Sequence, residues 1–133
     1  MGLHVELGRF PVVVCRLTAQ DLVAADLQRE CASYLAELSR HRGLFACVHD
    51  WTLATDLGAE KWRLVFEGAV LSSAVASRCV GQAIVVSTPA LRGFATSVSM
   101  QQSAPYPVRV AASVDAALSW CTWQLRRSEP QAV

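Results

Sequence analysis

Ala83-Ile84-Val85-Val86-Ser87-Thr88-Pro89-Ala90-Leu91 is the stretch that decides the fold. Four apolar residues form a run of strand length. Thr88 then stands as a helix N-cap, with Pro89 at the first helical position, where its missing N–H costs nothing. Leu91, Phe94, Ala95 and Val98 follow at helical spacing. A buried strand that passes within two residues into a helix is half of a crossover unit, and such units build parallel sheets.

Upstream, Leu44 to Val48 reads as a buried strand with His49-Asp50 at its end. A loop through Trp51, Thr52, Thr55 and Asp56 leads to a helix from near Ala59, whose charges Glu60, Lys61, Arg63 and Glu67 precede an uncharged stretch from Gly68 to Ser77. Further back, Leu3 to Leu7 alternates apolar and polar, and Gly8-Arg9 turns it into the apolar Pro11 to Leu17, predicting an N-terminal edge hairpin. Thr18 with Asp21 resembles a capping box. It opens a helix through Val23, Leu27, Cys31, Tyr34 and Leu38, which Gly43 ends. Downstream, Pro105 and Pro107 close a connection, Val108 to Ala111 makes the last strand, and Ser113 caps a final helix from Asp115 to Leu125. The expectation is an α/β fold: one domain over residues 1–127, with a mixed, mostly parallel sheet covered by helices. Residues 128–133 are expected to form a disordered tail.

The 133 residues suit one domain with a real core. Twelve basic residues, all arginine except Lys61, nearly balance eleven acidic ones, so no overall field favours nucleic acid. Hydrophobic residues make up 53% and charged residues 17%, more apolar than the usual soluble domain. Some apolar surface is therefore expected to serve a partner. Five cysteines, Cys15, Cys31, Cys47, Cys79 and Cys121, are odd in number and widely spaced, without a C-x-x-C pair. They read as reduced core thiols. With no leader at the N-terminus and no run apolar enough to span a bilayer, a cytoplasmic protein without stable membrane insertion is expected.

A strand, the Leu17-Thr18-x-x-Asp21 helix start, a strand ending in His49-Asp50, a charge-poor helix, and Pro107-Val-Arg-Val leading to Asp115-Ala-Ala-Leu-Ser-Trp120 together resemble the SpoIIAA-like, or STAS-like, domains. These are small bacterial α/β modules related to anti-sigma-factor antagonists and reminiscent of lipid-binding Sec14-type domains. The resemblance covers nearly the whole chain. It implies a non-enzymatic regulatory module acting through protein contacts. Antagonists of that family switch by phosphorylation of a serine in a D-S-S-G-like turn. The matching stretch here is Asp50-Trp51-Thr52, in which Thr52 or Thr55 would have to replace the serine.

Open α/β sheets bind ligands outside the carboxyl ends of their strands. That rule selects Thr18, His49, Asp50, Ser87 and Thr88 as candidates. A Ser87, His49 and Asp50 triad is disfavoured because neighbours on a strand point to opposite faces. The alternative is a turn-forming Asp50 and a buried, hydrogen-bonded His49. Arg92, in the first turn of its helix, opposes the helix dipole unless an anion compensates, so it joins the ligand candidates. No dinucleotide or phosphate-loop glycine pattern occurs, and no cofactor or metal is implied.

On the final helix Val114, Ala117, Leu118 and Cys121 share one arc. Trp120 lies at its margin and Trp123 almost opposite. Trp120 is therefore expected in the core. Trp123, with Val70, Leu71 and Val75 of the uncharged stretch, is expected at an interface, giving a homodimer or a contact with an unidentified protein partner. The competing expectation is a pocket at the strand ends for a small apolar or anionic ligand, or a lipid.

Overall fold

The computed structural model describes residues 3–18, 24–53, 59–65, 67, 77–101 and 106–128. In chain order the elements are β1 Leu3–Glu6, β2 Val12–Thr18, α1 Ala24–Ser39, β3 Phe45–Leu53, α2 Ala59–Val65, β4 Cys79–Val85, α3 Pro89–Gln101, β5 Val108–Ala111 and α4 Val114–Ser128. The five strands lie in sequence order, β1-β2-β3-β4-β5. β1 runs antiparallel to β2, and β2 through β5 are parallel. The expected edge hairpin and mostly parallel sheet are both present.

Strand order dictates where the helices go. When successive parallel strands add on the same side, right-handed crossovers carry each connecting helix over the same face. Accordingly Leu27 and Tyr34 of α1, Trp62 and Val65 of α2, and Leu91 and Ala95 of α3 pack on one face, against Val13, Cys15, Leu17, Trp51 and Ile84. α4, which follows the last strand, returns across the other face and packs through Ala117 and Cys121 on Val14, Ala46, Val48, Ala83, Val85 and Ala111. Small side chains dominate that second layer, and they let α4 approach the sheet closely.

The local devices read from sequence are in place. Thr88 Oγ1 accepts the Leu91 N–H at 3.2 Å, and Ser113 Oγ accepts that of Ala116 at 3.1 Å. Leu27, Cys31, Tyr34 and Leu38 form the buried stripe of α1. Gly43 takes φ +94° in the turn after α1, a backbone region that glycine enters without a Cβ clash.

Three boundaries differ from expectation. β3 continues to Leu53, so His49, Asp50, Trp51 and Thr52 are strand residues, not loop. The cause is Trp51, which is buried against Trp62 with ring centroids 4.6 Å apart and so extends the pleat. β4 begins at Cys79, four residues before the apolar run that signalled it. α4 reaches Ser128, which is helical and not part of a tail. The uncharged second half of the α2 region, with Val70, Leu71 and Val75, lies outside the described residues, as do Thr55 and residues 129–133.

Candidate functional site

At the carboxyl edge of the sheet the candidates are spread out. Asp50 is buried and, being within β3, closes no turn of the expected kind; it bonds along its own strand, its Oδ1 accepting the Thr52 N–H at 3.0 Å and the Thr52 hydroxyl at 2.6 Å. Its Oδ2 lies 3.9 Å from Arg16 Nε, and Arg16 also pairs with Glu6 at 2.7 Å. Thr18 pairs with Leu53 across the β2–β3 ladder. Thr88 is committed to capping α3, whereas Ser87 and Arg92 are exposed. Arg92 forms no ion pair among the described residues. These groups serve the strand ends, a helix cap and the surface, and they do not converge on one point.

His49 points the other way, into the layer under α1. It is fully buried, and its Nε2 is hydrogen-bonded to Gln82 Oε1 across the sheet. Burial lowers its pKa from 6.5 to about 4, with the Gln82 bond partly opposing the shift, so the ring is neutral at physiological pH. Ser87, His49 and Asp50 therefore form no relay. The Gln82 amide also donates to Cys79 Sγ at 3.4 Å, and the Tyr34 hydroxyl lies 3.0 Å from Cys47 Sγ. A seam of thiols, phenol, amide and imidazole thus runs beneath α1. All five cysteines are free and buried, as expected. Burial pushes the Cys15 and Cys121 thiols up to about 12, and those of Cys31 and Cys79 to about 11. Among the described residues, no group of three or more His, Cys, Asp or Glu side chains is placed to hold a metal ion.

Two features lie at or beside the opposite, amino end of the strands. The first is a cleft of about 290 Å³ lined by Cys79, Val80, Tyr106, Pro107, Gln124, Arg127 and Ser128. The second is Trp123 of α4, 53% exposed, with the Arg127 guanidinium stacked 4.7 Å from its ring centroid. Trp120 packs on the core side of the same helix, against Gly81.

This arrangement defines a SpoIIAA-like, or STAS-like, fold. The chain is similar in structure to an uncharacterized protein of the DUF3478 family with a SpoIIAA-like fold from Shewanella loihica PV-4. The match has a TM-score of 0.57 and 11% identity, and it covers 90% of this chain and 91% of that one. No family model and no curated protein matches the sequence. No helix among the described residues is long and apolar enough to cross a membrane.

The sequence reading passed over Gln82 and Gln124, yet each left a signal. Gln82 interrupts the apolar run of β4, and Gln124 continues the Ala117, Cys121 stripe at helical spacing. A polar residue on a buried face is more informative than any apolar one there. Both are indeed buried.

Proposed function

We infer that this chain is a non-enzymatic interaction module of regulatory type that self-associates through the outer face of α4. One observation carries this reading. A tryptophan is more than half exposed on a helix whose opposite stripe is sealed to the sheet. Exposed leucines, Leu44 and Leu53, stand elsewhere, but tryptophan and arginine are the side chains most enriched where interfaces concentrate their binding energy. The Arg127 stack holds the ring and supplies a polar rim.

A two-fold contact would bring the same patch together twice. With each ring 53% exposed, two tryptophans contribute about 160–270 Å² of the roughly 1,000 Å² a specific interface needs, and the surrounding surface of α4 supplies the rest. α2 packs on the face opposite α4. The surface proposed therefore rests on Trp123, with Val70, Leu71 and Val75 outside the described residues. A dilution series followed by NMR tests the reading. The Trp123 indole N–H resonance should move with protein concentration while the Trp51 and Trp62 indoles stay fixed. Concentration-independent spectra would contradict it.

A further inference from the structure

We propose that the rim formed by the turns at the amino ends of β2, β3 and β4 docks reversibly on a membrane surface rich in anionic phospholipid, with Arg9, Arg40 and Arg42 as headgroup contacts and Leu44 as the side chain pressed into the interface. This goes beyond the self-association reading, uses none of the α4 surface and does not depend on it.

Three segments far apart in sequence are tied together at this rim. The Ala46 N–H donates to the Pro11 carbonyl and the Phe45 N–H to the Arg78 carbonyl, both at 3.0 Å, so the start of β3 lies between the β1–β2 turn and the lead into β4. The Phe10 ring stacks on His41 with centroids 4.8 Å apart, and the Arg78 guanidinium donates to the carbonyls of His41 and Leu38. These contacts gather Arg9, Arg40, Arg42 and Arg78. Across residues 7–12, 37–45 and 77–80 they meet a single carboxylate, Glu37, in a chain whose overall charge is only +1. Glu37 faces Arg40 at 3.4 Å, whereas Arg9 and Arg42 are exposed and form no ion pair among the described residues. A helix end carries partial negative charge that opposes an anion, but the last carbonyls of α1 are already met by Arg78. The other arginines are left to face outward.

The apolar side chains on the rim select a membrane over a nucleic acid. Leu44 is 39% exposed at the start of β3, and Pro11, at the start of the neighbouring strand, is exposed as well. Aliphatic groups flanked by arginines gain from burial at headgroup depth, whereas a nucleic acid would reward open aromatic faces instead. The aromatic ring here, Phe10, is half-buried, with one face taken by His41. Guanidinium forks match the oxygens of phosphodiester and carboxylate headgroups. Each basic residue near an anionic bilayer strengthens attachment by about fivefold, so a few arginines and one shallow leucine give reversible, salt-sensitive docking.

The test is co-sedimentation of the full chain with vesicles of phosphatidylcholine alone or containing ~30% phosphatidylserine, at ~0.1 M and ~0.5 M salt. Wild type should partition onto the anionic vesicles at the lower salt, leave them at the higher, and ignore the neutral ones. Arg9→Gln and Arg42→Gln should each lower the partition by about fivefold, and the double variant by about twentyfold or more. Leu44→Ser should lower it too, which attraction between charges alone would not do. All three side chains are exposed, so the variants should keep the far-ultraviolet circular dichroism of wild type. Four results would overturn the proposal: no preference for anionic over neutral vesicles, unchanged partition in the double arginine variant, unchanged partition in Leu44→Ser, or tighter binding to single-stranded oligodeoxythymidylate at the same phosphate concentration.

Discussion

Gly81 lies directly beneath the indole of Trp120: a Cβ at Gly81 would come within 2.9 Å of Trp120 Cη2 and 3.0 Å of Cζ3. The absent side chain on β4 leaves room for the Trp120 indole between α4 and the sheet, while Trp123 stands exposed on the outer side of the same helix. Gly81→Ala should therefore destabilise the fold by about 1–3 kcal/mol through overpacking. Urea denaturation followed by tryptophan fluorescence checks this, with an altered near-ultraviolet circular dichroism spectrum expected from the displaced ring.

The His49 ring gives the fold a defined acid sensitivity. The unfolded chain takes up a proton on this residue below pH 6.5, whereas the folded chain resists until about pH 4. Stability is therefore fully present above the unfolded value, falls as the pH drops through that window, and levels off below the folded value. Wild type should lose roughly 2.5 kcal/mol more than His49→Leu between pH ~7.5 and pH ~4.5. Equal losses in denaturation curves of the two proteins would remove His49 as the cause.

What the sequence shows and what it hides follow from range. The Thr88-Pro89 start of α3 and the Ser113 cap of α4 were legible because each is made by neighbours in the chain. β3 was read too short because its last turn of pleat depends on Trp51 meeting Trp62, a contact between separate elements. The His49–Gln82 bond joins residues 33 apart, and no local pattern announces it. The bonds from Thr52 to Asp50 are equally local, two residues apart, but they lie within β3 and not in the expected turn. The amino-end cleft escaped the reading because the rule for open α/β sheets points to the other end of the strands.

The five thiols should be silent in the folded protein. They are all buried and free, and the shifts cited keep them protonated at neutral pH. A chromogenic disulfide reagent at pH ~8 should react with none of them in minutes under native conditions and with all five after denaturation without reductant. A thiol that reacts at once in the native protein would contradict this packing.

Thr52 is a poor place for a phosphate. Its hydroxyl donates to Asp50 at 2.6 Å, so a dianion there would lose that bond and sit against a carboxylate. Thr52→Ala should cost about 1 kcal/mol, and Thr52→Glu should cost more. Thermal denaturation of the two variants orders them; a Thr52→Glu protein as stable as wild type would reopen the threonine as a switch.

The outer face of α4 is tested most directly by sedimentation velocity over a range of concentrations, comparing wild type with Trp123→Glu and Trp120→Glu. Wild type should sediment as a concentration-dependent dimer. Trp123→Glu should sediment as a monomer with unchanged far-ultraviolet circular dichroism, while Trp120→Glu should unfold because its ring packs against Gly81. A wild-type protein that stays monomeric at high concentration, or a Trp123→Glu variant that still dimerises, would contradict the account.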